Sequence, residues 1–226
     1  AGEGTLASEE PPNIVVLFAD DLGWRDLSCM GSRYYETPAI DGLAREGLLF
    51  SDAYASAPVC LPARAGLLTG KAPARLHMTA VFDRDGGEMP LLPPQWRNQL
   101  PLEERTLPER LQERGYLTAI IGKWHLGKED PRRHGFDVNV AAWQSGRPAT
   151  YFSPYQNPAI EDGPDGEYLT DRLGEEAATF ISENADRPFF LYLPFYSPHA
   201  PLEAPQGTVE RFATKKPDGG QKWPTY

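Results

Sequence analysis

Three stretches of the chain are apolar almost without interruption: NIVVLFA (13–19), YLTAIIG (116–122) and PFFLYLPF (188–195). Continuous rather than alternating apolar residues predict strands covered on both faces. The segments between them carry helical patterns. TPAIDGLAREG opens with Thr37 as N-cap and Pro38 in the first turn, and stops at Gly47. TLPERLQERG carries a capping box, Thr106 with Glu109, and ends at Gly115. EYLTDRLGEEAATFISEN sets Leu169, Leu173, Ala177, Phe180 and Ile181 on one face. A further helix is predicted from Cys60 through Leu68, with Gly70 as its stop. Strands alternating with helices predict an α/β fold with a largely parallel sheet. The stretches 71–105 and 126–166 are long and rich in Pro and Gly, and long ordered loops in such folds tend to be functional.

Composition narrows this picture. The 226 residues suit one domain, or two at most, and 40% apolar content is enough for a core. With 22 basic and 32 acidic residues the net charge is −10, so the electrostatic footprint of a nucleic-acid binder is missing. A cation-dependent site or a solvated surface suits that charge better. No apolar run approaches the ~20 residues that span a bilayer. AGEGTLASEEPP (1–12) reads as a flexible N-terminus without a signal peptide, which leaves export open. Cys29 and Cys60 form neither a disulfide framework nor a CxxC metal site.

Ligands of open α/β sheets bind beyond the carboxyl ends of the strands. Each apolar run here delivers ionisable residues to that edge: Asp20-Asp21 after the first, Lys123 and His125 after the second, His199 after the third. Adjacent carboxylates favour a hard cation such as Ca²⁺ or Mg²⁺, although Asp-Asp-Leu-Gly is also good turn chemistry. Lys123 and His125, two residues apart, share a face if the strand continues through them. A lysine beside a histidine keeps the imidazole neutral and available as a base; the plainer alternative is a surface Lys and a loop His. His199 lies between Pro198 and Pro201, either functional or a hydrogen-bonded loop residue. His77 and His134 lack such company and read as structural.

Cys60 is predicted to open a helix, where free N–H groups and the positive dipole end stabilise negative charge. Arg64 follows one turn later on the same face. A thiolate nucleophile and a buried core thiol both fit. Tyrosine phosphatases have five residues between their Cys and Arg rather than the three found here, and a cysteine protease needs a matching histidine.

The motifs together carry a resemblance. CLPAR followed by AGLLTGK resembles the sulfatase signature C-x-P-x-R, in which the cysteine becomes formylglycine. NIVVLFADDLGW, TPAIDGLAREGLLFSDAYASAPVC, GKWHLG, HGFD and PFFLYLPFYSPHAPLEAP are similar to type I sulfatases, in that family's order, from Asn13 to about Pro205. Ala63 stands where many members have Ser, while the Cys, Pro and Arg are intact. The resemblance implies an alkaline-phosphatase-like sandwich with a central sheet flanked by helices. It implies Ca²⁺, with Mg²⁺ as the alternative, on Asp20, Asp21 and the modified residue 60. Arg64 and Lys123 would hold and polarise the hydrated aldehyde, one hydroxyl of which attacks sulfur. His125 would deprotonate the second hydroxyl to release sulfate, and His199 would contact the sulfate and protonate the leaving oxygen. A second hydroxyl, which a serine lacks, is the reason for the modification.

The resemblance also implies a formylglycine-generating maturation enzyme as partner, a sulfated small molecule or glycan as substrate, and a periplasmic or secreted location. Family members are about twice this length. Residues 13–226 are expected to be the N-terminal part of a sulfatase domain, lacking a later Asp-Asn/His metal segment and the C-terminal subdomain. That missing half, or a second chain, would complete the metal site, and these 226 residues alone are expected to be inactive. A phosphate or phosphonate ester hydrolase of the same superfamily is the runner-up, and an unmodified binding protein the reading outside enzymes. Trp143, Tyr151, Phe152 and Tyr155 offer either a sugar-stacking wall or packing.

Overall fold

The computed structural model describes residues 11–81 and 94–216. The flexible N-terminus expected from the sequence lies, for residues 1–10, outside the described residues, as does part of the 71–105 loop. Four parallel strands form one sheet in the order β1-β4-β2-β3: β1 (Ile14–Phe18), β2 (Leu117–Ile121), β3 (Val138–Val140) and β4 (Phe189–Pro194). Ile14 pairs with Phe190 and Leu17 with Leu193, while Ala119 pairs with Leu191 on one side and Val138 on the other. The α/β class and the parallel sheet are as predicted. β3 was not foreseen: three residues, Val138–Val140, are too short to stand out as an apolar run.

Successive residues of β4 point to opposite faces. Phe190 and Tyr192 enter one core with Leu61, Ala65 and Leu68 of α2 (Cys60–Thr69) and Leu76 of α3 (Pro73–Leu76), and Leu107 and Leu111 of α4 (Leu107–Gln112) pack against it. Phe189, Leu191 and Leu193 enter a second core with Leu169, Leu173, Ala177 and Phe180 of α5 (Leu169–Glu183). The sheet is thus sandwiched between helices. Ile181, expected on the buried face of α5, is instead 37% exposed, because at 100° per residue it has turned past the stripe that Phe180 closes.

β1 departs from its prediction. Ile14, Val16 and Phe18 pack on the first core, but Val15 and Leu17 are 43% and 56% exposed. A helix about 10 Å wide covers roughly two strands spaced 4.8 Å apart. α5 lies over β2 and β4, and β1 falls beyond it.

The helix boundaries have local causes. α2 begins at Cys60 and carries Pro62 in its first turn, where the missing N–H has no intrahelical partner to lose. It ends at Gly70, whose N–H donates to the Gly66 carbonyl at 2.9 Å. The capping box of α4 forms as predicted, the Thr106 hydroxyl accepting from the Glu109 N–H and the Glu109 carboxylate from the Thr106 N–H. α1 (Pro38–Glu46) follows Thr37, but the Thr37 hydroxyl donates to Asp41 and accepts from the Ser28 N–H rather than capping the helix. α6 (Gln206–Ala213) has no counterpart among the predicted helices. Tyr151 and Tyr155 are buried in the second core, so they pack.

Candidate active site

The carboxyl ends of three strands are laced together by backbone hydrogen bonds. Phe195 N–H donates to the Phe18 carbonyl at 2.9 Å, Asp20 N–H to Ser197 at 3.1 Å, and Lys123 N–H to Pro194 at 2.7 Å. β1, β2 and β4 therefore release their polar residues at one place. The turn out of β2 depends on Gly122: φ is +123°, and a Cβ there would lie 2.1 Å from the Pro194 carbonyl oxygen. No other residue could bring Lys123 so close to β4.

Arg64 enters this edge from α2 and is fully buried. Its Nη1 donates to the Lys123 carbonyl at 2.9 Å and to the Tyr192 hydroxyl at 3.5 Å, and its Nη2 to Asp20 Oδ1 at 3.2 Å. The guanidinium carbon stands 5.2 Å from the centre of the Phe18 ring. The Nε is buried and has no partner among the described residues. Lys123 Nζ, also fully buried, donates to the other oxygen of Asp20. Two buried cations thus share one buried carboxylate, which leaves one positive charge in excess. An uncompensated buried charge is costly, and an anion arriving here relieves that cost. Burial, and then the charge of Arg64, push the Lys123 pKa down, with Asp20 opposing. Cys60 sits at the start of the helix that delivers Arg64, near enough to act electrostatically on Lys123.

Two further residues hold left-handed backbone conformations, unusual for non-glycine side chains: Asp21 at φ 60° and His125 at φ 55°. Strain of this kind collects at functional sites. His125 donates its N–H to the Trp143 carbonyl at 3.3 Å, and its Nδ1 is buried without a partner among the described residues. Burial, then the charges of Lys123 and Arg64, drive its pKa down to about 3. The imidazole is therefore neutral at pH 7 and able to accept a proton.

His199 Nδ1 lies 2.7 Å from the Ala200 carbonyl, which can only accept, so Nδ1 carries the hydrogen. In the neutral ring that leaves a lone pair on Nε2, 3.7 Å from Asp21 Oδ2. One donor atom from each of Asp20, Asp21 and His199 lies within 4.8 Å of the others. Two carboxylates and a lone-pair nitrogen fit a divalent cation. The Cys60 sulfur is not in that group.

The seven residues singled out in the sequence thus come to one edge of the sheet. His134 lies instead beside Trp124 in the first core, and His77 caps α3. Sequence reasoning missed Tyr192, Phe18 and Ser197, which orient Arg64 and Asp20. Only Tyr192 left a trace, as the one hydroxyl in an otherwise apolar β4.

The carboxyl edge of this α/β scaffold thus holds a buried cation pair, a carboxylate pair and a neutral histidine. Comparison with known proteins gives the family. The sulfatase family model matches residues 12–223. N-acetylgalactosamine-6-sulfatase of Canis lupus familiaris is 38% identical over 242 residues, covering 93% of this chain and 45% of that protein. Human arylsulfatase A is 49% identical over 122 residues, covering 54% of this chain and 22% of its own. The crystal structure of Ps i-CgsB in complex with k-i-k-neocarrahexaose superposes with a TM-score of 0.74 at 30% identity, covering 91% of this chain and 49% of that one. The chain belongs to the sulfatase family, with its alkaline-phosphatase-like fold. It spans about half the length of the curated relatives it matches across nearly its whole extent.

Proposed function

We propose that the protein hydrolyses a sulfate monoester of a sugar, with Cys60 oxidised to formylglycine by a maturation enzyme. The observation that carries this reading is the buried pair Arg64 and Lys123 sharing the single carboxylate of Asp20, at the helix end that begins with Cys60. Formylglycine would supply a hydrated aldehyde as oxygen nucleophile, and a divalent cation on Asp20 and Asp21, Ca²⁺ before Mg²⁺, would supply Lewis acidity toward sulfate oxygens. Arg64 and Lys123 hold negative charge where it develops, already oriented and out of water. His125, neutral at working pH, takes a proton from residue 60. His199, left outside the ligand set of a cation held by Asp20 and Asp21, would meet the sulfate beside Asp21 and give the leaving oxygen a proton carried on Nε2. Its curated relatives include an N-acetylgalactosamine-6-sulfatase and an arylsulfatase A, and a solved neighbour holds k-i-k-neocarrahexaose; a sulfated glycan fits that company.

The test begins with the peptide containing Cys60, taken from protein made in its native host. Conversion of thiol to aldehyde lowers its mass by ~18 Da, through loss of H₂S and gain of O. An unchanged thiol there refutes the catalytic reading and leaves a binding protein. Matured protein is expected to turn over an aryl sulfate faster than the matching aryl phosphate. The reverse order would favour a phosphate or phosphonate ester hydrolase.

A further inference from the structure

One cavity opens beside His125, and a second, which His125 does not line, shares Lys128 and Gln144 with it. The smaller, about 210 Å³, is lined by His125, Leu61, Gln99, Lys128 and Gln144 among others. The larger, about 730 Å³, also has Lys128 and Gln144 in its lining, together with Trp143 and Asn139. Pockets that take a drug-sized ligand run to about 300–1,000 Å³. The first therefore has room for no more than one compact unit against the imidazole, and the second has room for what is attached to it.

The small cavity is a built feature. Gly146 packs directly on the His125 ring, where an added Cβ would lie 2.4 Å from Cε1. The loop bearing Lys128 is tied to the opposite segment, Leu100 N–H donating to the Leu126 carbonyl at 2.9 Å. In the larger cavity three carboxylates stand against two cations: Asp130 accepts from Arg132, and Glu129 from Arg133, which lies outside the lining. Glu161 also lines it. Lys128 is exposed and has no carboxylate partner among the described residues. A chain of net charge −10 repels polyanions at long range, so their recognition here needs a local cation placed where the substrate passes.

We propose that Lys128 and Gln144 form the recognition point between two sugar subsites. The substrate class is then a sulfated oligosaccharide whose neighbouring unit carries a second anionic group, a carboxylate or a sulfate, against Lys128. Gln144 supplies amide hydrogen bonds to hydroxyls at the same junction. This deepens the sulfate-ester reading and rests on it for the position of the scissile sulfate beside His125.

The experiment uses the intact protein with Cys60→Ala, so that binding is read without turnover. Calorimetry compares three sulfated disaccharides alike except at the neighbouring unit: neutral, carboxylated or sulfated. At least one charged form is expected to bind tenfold or more tighter than the neutral one, and the two charged arms distinguish carboxylate from sulfate. Lys128→Met should abolish that preference, Lys128→Arg should retain most of it, and Lys216→Met, which removes the same charge elsewhere, should leave it. Equal affinity for all three ligands, or a preference that survives Lys128→Met, overturns the proposal. The hydrolase reading is judged separately, by turnover of an aryl sulfate by the matured protein. Its failure there would leave the measured charge preference standing.

Discussion

β1 and β4 are hydrogen-bonded neighbours of nearly the same apolar character, IVVLF against FFLYLP, yet they live in different surroundings. Every residue of β4 is buried, whereas β1 alternates between half-buried and exposed. Just beyond β1 the order inverts: Asp20 is only 3% exposed, three residues after Leu17 at 56%. Hydrophobicity alone accounts for none of this. β4 is buried because α2 and α5 sandwich it, β1 is half open because α5 does not reach it, and Asp20 is buried because Arg64 and Lys123 compensate its charge.

The sharpest way to break that comparison is Asp20→Ala. It leaves two buried cations without their carboxylate, and the loss of folding stability is expected at about 3–5 kcal/mol, read from urea unfolding. A loss under ~1 kcal/mol would mean that the ion cluster does not hold the strand ends together. Next comes the pair Leu191→Ala and Leu17→Ala. Removing the β4 side chain from the second core should cost about 2–5 kcal/mol, and removing the β1 side chain about 0.5 kcal/mol or less in this chain. Equal costs would show that the outer face of β1 is covered in solution.

A further effect, about 2 kcal/mol between pH 7.5 and 5, is a pH dependence carried by the covered end of the sheet. The folded state holds His125 near pKa 3, against about 6.5 for a free imidazole. Between those values the unfolded chain binds the extra proton, so stability is complete above pH 6.5 and falls as the pH drops toward 3. The slope is at most about 1.4 kcal/mol per pH unit. His134, lowered by burial in the first core, adds a term of the same sign. Unfolding midpoints at pH 7.5 and 5 should differ less for His125→Gln than for the wild type; an unchanged difference would move the effect to other groups.

Much of this architecture was readable along the chain. Apolar runs marked β1, β2 and β4 to within a residue or so, and Thr106-Glu109 and Gly70 marked helix ends, because caps and stops act over three or four residues. The site residues were readable as types, since each follows a strand or opens a helix. β3, the open face of β1 and the exposure of Ile181 were not, because each depends on which element packs across from it. Nor did the chain show that Arg64 would be oriented by Tyr192 and Phe18, 128 and 46 residues away respectively.

By itself, then, the sequence determined three of the four strands and the helices α1, α2, α4 and α5, the edge of the sheet to which Asp20, Lys123, His125 and His199 belong, and the family whose motifs they share. Those are local properties: backbone propensity, turn chemistry and side-chain type. The tertiary structure alone decided that two cations would share one carboxylate, that burial more than any neighbouring charge would hold His125 neutral, and that Lys128 would stand where two cavities meet. Charge balance, desolvation and cavity shape arise between segments far apart in the chain, and they come into being only when the fold closes.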